Sequence, residues 1–110
     1  MLKLGLDTLS SKELFKDVLV RLVNGEELTL NYFELRSTEV AIPSYEHPVE
    51  HLVIVLEGEM QFMFKDHKLS LGERDGLFLP ARIPHSARVI RAPVRALEIC
   101  TVTKDEYYEK

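Results

Sequence analysis

Tyr45-Glu46-His47-Pro48-Val49-Glu50-His51 runs directly into Leu52-Val53-Ile54-Val55-Leu56-Glu57-Gly58, and this stretch decides how the chain is interpreted. It holds two of the four histidines, and a third, His85, follows in Ile83-Pro84-His85. Neutral imidazole is the commonest metal ligand in proteins, and three imidazoles on a rigid wall leave coordination positions open for water or substrate. The sequence therefore predicts a metal site built on β-strands.

Length and composition predict a single domain over residues 1–110, because 110 residues with 45% hydrophobic content can bury one core without disulfides. The lone Cys100 and a start without a signal-like apolar run predict a cytoplasmic location. The longest apolar stretch, Leu52–Leu56, is far below the ~20 residues of a membrane helix. A net charge of −4 without a basic stripe argues against nucleic acid. A small molecule is the expected partner.

Short β-prone segments separated by Gly and Pro predict an all-β sandwich or barrel. The predicted strands are Thr29–Leu35, His51–Leu56, Met60–Phe64, Leu69–Leu71, Leu77–Leu79, Ala87–Ile90 and Ala96–Val102. Glu57-Gly58 is predicted to be a hairpin turn that pairs the second of these strands with the third. Under that pairing Val53, Met60 and Phe62 share a face with His51, and we expect them to line a substrate pocket.

The N-terminal part supports two interpretations. Ser10-Ser11-Lys12-Glu13 resembles a capping box, with apolar residues behind it at helical spacing. The segment from residue 18 onward equally suits a strand, a turn at Asn24-Gly25 and a second strand. We predict a short helical turn over Ser11–Phe15 and then a hairpin, while the polar tail Lys104–Lys110 should fray or form a terminal turn.

In these residues and their spacing, the chain resembles a cupin. The first cupin motif is written Gly, five residues, His-x-His, three or four residues, Glu, six residues, Gly. Measured back from Gly58, His51 stands at the Glu position, His47 at the second His and Tyr45 at the first His. The resemblance covers roughly residues 28–102.

The second cupin motif is Gly, five residues, Pro-x-Gly, two residues, His, three residues, Asn. Pro80 and His85 match its Pro and His, whereas Arg74, Arg82 and Val89 stand where its two glycines and its Asn are expected. The resemblance implies a jelly-roll barrel, that is, a double-stranded β-helix, with a short N-terminal helical turn or strand extension.

Cupins of this kind hold one divalent metal with three His and one Glu, and the resemblance implies Fe, Mn, Ni or Zn here. In this chain it points to His47, His51 and His85, with Tyr45 as a fourth ligand or a proton donor or acceptor. Tyr45 is equally well explained as an aromatic at the edge of the core with its hydroxyl in water. No carboxylate is expected in the site, so the ion would keep its double charge and favour an anionic substrate or a bound hydroxide.

Other polar residues near the motif are expected to stay outside the site. By strand alternation Glu46 and Glu50 point away from the cavity, and His67 falls in a polar turn. Leu52, Ile54 and Leu56 form an outer apolar face that either the N-terminal strands or another subunit must cover, and we predict a homodimer.

Two functions follow from this sequence. The first is a metal-dependent enzyme acting on a small molecule, similar either to cupin dioxygenases or to sugar-acid isomerases and lyases. The alternative is a non-catalytic cupin module that binds or senses a small ligand, which the missing Glu favours. A purely structural role is a third option, and it predicts neither metal nor ligand.

Overall fold

The structure is a computed structural model that describes residues 1–101. Within these residues the chain forms a short 3-10 helix, Leu6–Thr8, and eight strands. The strands are β1 (Ser11–Phe15), β2 (Val18–Asn24), β3 (Leu28–Leu35), β4 (Ala41–Tyr45), β5 (His51–Met63), β6 (Lys68–Leu71), β7 (Gly76–Leu79) and β8 (His85–Thr101). In this described part no helix has the length and apolar character needed to cross a membrane.

The strands form one antiparallel system in the order β1-β2-β3-β8-β5-β6, with β4 paired to β8 and β7 paired to β5. The two long central strands, β5 with 13 residues and β8 with 17, each pair with strands at both of their ends. Their inward faces supply much of the core, including Val53, Val55, Val94 and Ala96. This architecture confirms the predicted all-β jelly-roll barrel.

The predicted hairpin turn at Glu57-Gly58 is wrong, because β5 continues through it as one strand. Val55 pairs with Ala96 on β8 instead of with Met60. The register shifts around residues 55–60, which is the mark of a β-bulge. Gly58 has φ +83°, a backbone conformation that glycine adopts readily.

The predicted inward face is present, but a β-bulge produces it and not a hairpin turn. Strict alternation would place residues 55 and 60 on opposite faces, because they are an odd number of positions apart. The additional residue of the bulge restores the phase, so Val53, Val55, Met60 and Phe62 are all buried. The same four side chains would have shared a face across a hairpin.

The N-terminal prediction is partly wrong. The helical turn lies at Leu6–Thr8, where the Thr8 amide donates to Gly5 O at 3.0 Å, and Ser11–Phe15 is a strand. Strand β1 pairs with β2, so ladder hydrogen bonds outweigh the local capping signal of Ser10–Glu13. The predicted hairpin of β2 and β3 is confirmed. The tail Lys104–Lys110, for which fraying or a turn was predicted, lies outside the described residues.

Candidate metal centre

His47, His51 and Glu98 form a buried group whose ligand atoms all lie within 4.8 Å of one another. His47 Nε2 is 3.9 Å from one carboxylate oxygen of Glu98, and His51 Nε2 is 3.9 Å from the other. The two imidazole rings lie 3.8 Å apart between centroids. Two imidazoles and one carboxylate that face a common point are a donor set suited to a divalent transition metal.

Backbone carbonyls orient two of the predicted histidines. His51 Nδ1 lies 2.9 Å from Val49 O, and His85 Nδ1 lies 2.9 Å from Ile83 O. Because a carbonyl oxygen only accepts hydrogen bonds, each Nδ1 must carry a proton and donate it. In the neutral ring, Nε2 then presents its lone pair, which is the arrangement that orients histidine ligands in metal sites.

This tautomer provides a test of whether the residues fit a metal. The Nε2 lone pair of neutral His51 and Glu98 Oε1 face each other at 3.9 Å, and both are acceptors. Two buried acceptors that face each other are stabilised by a cation between them, either a proton on the imidazole or a metal ion. Of these two cations, the metal ion is the one that could use all three nitrogen and oxygen donors, which lie within 4.8 Å of one another, so the donor set fits a divalent transition metal.

Glu98 corrects the expectation that the site has no carboxylate. It lies on β8, is only 7% exposed, and accepts a hydrogen bond of 3.1 Å from Asn31 Nδ2 on β3. Asn31 and Glu98 are also direct cross-strand neighbours. The signal in the sequence is the alternation of Ala96, Glu98 and Cys100, which places the Glu in phase with two buried side chains.

His47 is placed by the loop that follows β4. Its carbonyl oxygen accepts a hydrogen bond of 2.7 Å from the Arg82 amide, in the loop between β7 and β8. Arg82 has φ +65° and Arg74 has φ +73°, so both adopt the left-handed conformation at the two positions where the cupin motif has glycine. Both connections, β6 to β7 and β7 to β8, thus have an arginine in a conformation that glycine adopts more readily.

Tyr45 and His85 lie beside the group. They are cross-strand neighbours on β4 and β8, and their ring centroids are 5.1 Å apart. Tyr45 is half-buried, with its ring edge-on to His47 at 4.6 Å. His85 is buried with its ring 5.6 Å from that of His47, but it lies outside the group whose ligand atoms are all within 4.8 Å.

A cavity of about 640 Å³ opens beside this centre. Glu98, Tyr45 and His85 line it, as do the three side chains expected to line a substrate pocket: Val53, Met60 and Phe62. Cavities of this size accommodate small organic molecules. Glu98 thus belongs both to the donor group and to the lining of the largely apolar cavity.

The other polar residues near the motif lie outside the candidate site, as strand alternation and the turn signal predict. Glu46 and Glu50 are exposed, and so is His67 in the turn between β5 and β6. Cys100 is buried directly across from His51 and forms no disulfide. None of the four belongs to the His47, His51 and Glu98 group.

The fold and the centre together define a small antiparallel barrel with a candidate metal site at the end of its cavity. The family model for the cupin domain matches residues 31–100, and the chain belongs to this family. The match begins on β3 and ends on β8, so it includes all of the residues described above for the centre and its loop.

Among curated proteins, the dimethylsulfoniopropionate lyase DddQ of Ruegeria pomeroyi is 36% identical over 56 residues. That alignment covers 50% of this chain and 28% of the lyase, so the chain matches less than a third of that protein.

Two solved structures show the same fold at low sequence identity. The polyketide cyclase RemF of Streptomyces resistomycificus is 20% identical with a TM-score of 0.80, covering 97% of this chain and 90% of RemF. KdgF from Halomonas sp. is 12% identical with a TM-score of 0.78, covering 88% of this chain and 89% of KdgF. At these identities the likeness shows the fold alone.

Proposed function

We propose that this cupin is a metal-dependent enzyme that acts on a small molecule in the barrel cavity. His47, His51 and Glu98 would hold one divalent transition metal, Fe, Mn, Ni or Zn, with His85 as a further ligand. The observation that carries the proposal is the buried Glu98 carboxylate faced by two imidazole nitrogens at 3.9 Å beside the cavity. Three neutral histidines would leave an ion its full double charge, whereas Glu98 reduces the net charge of the site by one.

Ring separations support His85 as a fourth ligand. A metal–nitrogen bond of about 2.1 Å places the centre of a ligating imidazole roughly 3 Å from the ion, so two such rings can lie up to about 6 Å apart. The rings of His47 and His85 are 5.6 Å apart. A shared ion would require the His85 ring to move closer to the group of His47, His51 and Glu98.

Each residue has a distinct part in the proposed chemistry. A bound divalent ion supplies Lewis-acid chemistry to a substrate oxygen at the inner end of the cavity. Tyr45, half-buried with its ring close to those of His47 and His85, would give or take a proton through its hydroxyl. The apolar side chains of Val53, Met60 and Phe62 exclude water from the reacting groups.

The proposal includes two reaction classes, an oxygenase and a lyase, and one observation supports each. Two histidines and one carboxylate with open positions are the ligand set of many non-haem iron(II) oxygenases. The partial match to a dimethylsulfoniopropionate lyase favours a lyase instead. The case for a non-catalytic module rested on a missing Glu, and Glu98 removes that reason.

Metal content tests the proposal. Protein purified without a metal-affinity tag should carry about one transition metal per chain by elemental analysis. His47→Ala and Glu98→Gln should lose it, because each removes a ligand, whereas His67→Ala should keep it because His67 is an exposed turn residue. Metal-free wild-type protein that also fails to take up added metal would contradict the proposal, and so would full metal content in both ligand variants.

We also propose that the chain forms a homodimer and acts in the cytoplasm. The outer side of β5 and β7 leaves Leu52, Leu56 and Phe78 40%, 43% and 58% exposed. Leu52 and Phe78 are cross-strand neighbours, so they form a continuous apolar surface that a second copy would cover. A monomer at micromolar concentration in sedimentation velocity would remove the homodimer proposal.

A further inference from the structure

The cavity shows a change of polarity along the barrel that bears on its substrate. On the ladder between β3 and β8, Asn31 pairs with Glu98 at the metal centre. Two residues further along β3, Phe33 pairs with Ala96, and the next inward residue is Leu35. All five line the cavity. At about 3.3 Å per residue, the four-residue step from Asn31 to Leu35 extends the apolar part roughly 13 Å from the Glu98 row.

Polar groups occur in two parts of this lining. The described polar lining residues beside the metal centre are Asn31, Tyr45, His85 and Glu98. The others are Ser10, Ser11 and Lys12, which precede or begin the exposed edge strand β1.

The rest of the wall is hydrophobic. It is formed by side chains from β2 to β8, among them Val20, Leu22, Phe33, Ile42, Met60 and Phe62. A ligand in the cavity therefore meets donors and acceptors at its inner end and hydrocarbon along its body.

We infer that the substrate has one metal-binding oxygen head and an apolar body. This inference rests on the proposed metal-dependent function. A polyhydroxylated body, as in a sugar acid, would place several hydroxyls against aliphatic and aromatic side chains without hydrogen-bond partners, which is strongly unfavourable. A hydrocarbon or aromatic body of up to roughly 13 Å is instead stabilised by the area it buries.

Three hydroxamates with the same chelating head test the inference on zinc-loaded wild-type protein by isothermal titration calorimetry. Acetohydroxamate has almost no body, octanohydroxamate adds six methylenes, and gluconohydroxamate adds a polyol. Since each buried methylene strengthens binding by roughly fourfold, octanohydroxamate should bind at least about 100-fold more tightly than acetohydroxamate. Gluconohydroxamate should bind no more tightly than acetohydroxamate.

Two matched leucine variants locate the effect in the cavity. Leu22 lines the cavity and is 42% exposed, whereas Leu69 on β6 is outside the cavity lining and is 39% exposed. Leu22→Asn should weaken octanohydroxamate about fivefold more than it weakens acetohydroxamate, because apolar contact area with the ligand body is lost. Leu69→Asn should bind both ligands as the wild type does.

The possible failures are distinguishable. If acetohydroxamate binds the zinc-loaded protein but all three affinities agree within threefold, or the polyol binds most tightly, the apolar-body inference is wrong and the metal site stands. Equal loss in the two leucine variants likewise overturns it, because the effect would not come from the cavity. If zinc does not load, or no hydroxamate binds, the proposed function fails and the inference fails with it.

Discussion

Replacement of Gly58 by alanine should strongly destabilise the barrel, because Gly58 lies where β5 bends against β8. Its φ of +83° is in the left-handed region. A Cβ added there would collide with Pro93 O, and it would approach Arg91 O to 2.7 Å and Val94 Cα to 2.9 Å. All three are backbone atoms of the partner strand, so no side chain can rotate to make room.

The expected loss of stability can be worked out from these contacts. A left-handed conformation costs an L-residue about 1–2 kcal/mol, and forcing an extra carbon into packed structure costs about 1–3 kcal/mol. Alanine recovers about 0.4–1 kcal/mol by restricting the unfolded chain. The free energy of unfolding should therefore fall by about 3 kcal/mol, which lowers the Tm of a domain this size by roughly 13 °C.

Urea denaturation followed by circular dichroism measures this change. Gly72→Ala is the matched control, because the nearest atom to its added Cβ is a side-chain oxygen of Asp75 at 3.8 Å, an ordinary contact. That variant should stay within about 0.5 kcal/mol of wild type. A loss of less than about 1 kcal/mol in Gly58→Ala would refute the reasoning that the strained bend is packed against the backbone of β8.

Substitutions at three further positions test the loop and the ligand set. Arg82→Pro should lower the free energy of unfolding by about 3 kcal/mol in urea denaturation, because proline can neither adopt φ +65° nor donate a hydrogen bond to His47 O. Arg82→Gly should keep wild-type stability or gain up to about 1 kcal/mol, because glycine adopts this φ readily. Asn31→Ala removes the donor to Glu98 and should weaken zinc affinity about 10- to 100-fold by calorimetry; unchanged affinity would show that this hydrogen bond does not orient the ligand. His85→Ala should weaken zinc at least about 10-fold, and wild-type affinity would remove His85 from the proposed ligand set.

The sequence predicted the barrel well because β-prone segments, Gly and Pro punctuation and the cupin spacing all indicated the same fold. The hairpin at Glu57-Gly58 was wrong because glycine permits both a reverse turn and a bulge, and local sequence does not distinguish them. The choice depends on β8, whose residues 87–96 pair across the whole bend. The strand at Ser11–Phe15 was also missed, since it is held by pairing with β2.

The sequence predicted only part of the candidate centre, because one of its residues is brought there by strand pairing. His47 and His51 were found because they are close in sequence and at motif positions. Glu98 was missed because its place in the site depends on the register of β8 against β3 and β5, which brings it opposite Asn31 and Val53. The local sequence signal for Glu98 in the site is its alternation in phase with Ala96 and Cys100.

Anomalous X-ray diffraction from crystals of the zinc-loaded protein, recorded at the metal absorption edge, tests the central claim most directly. The proposed ligand set predicts one strong anomalous peak per chain about 2.0–2.2 Å from the ring nitrogens of His47 and His51 and from a carboxylate oxygen of Glu98. A strong peak only at exposed residues such as His67, or no peak in the barrel of loaded protein, would contradict it.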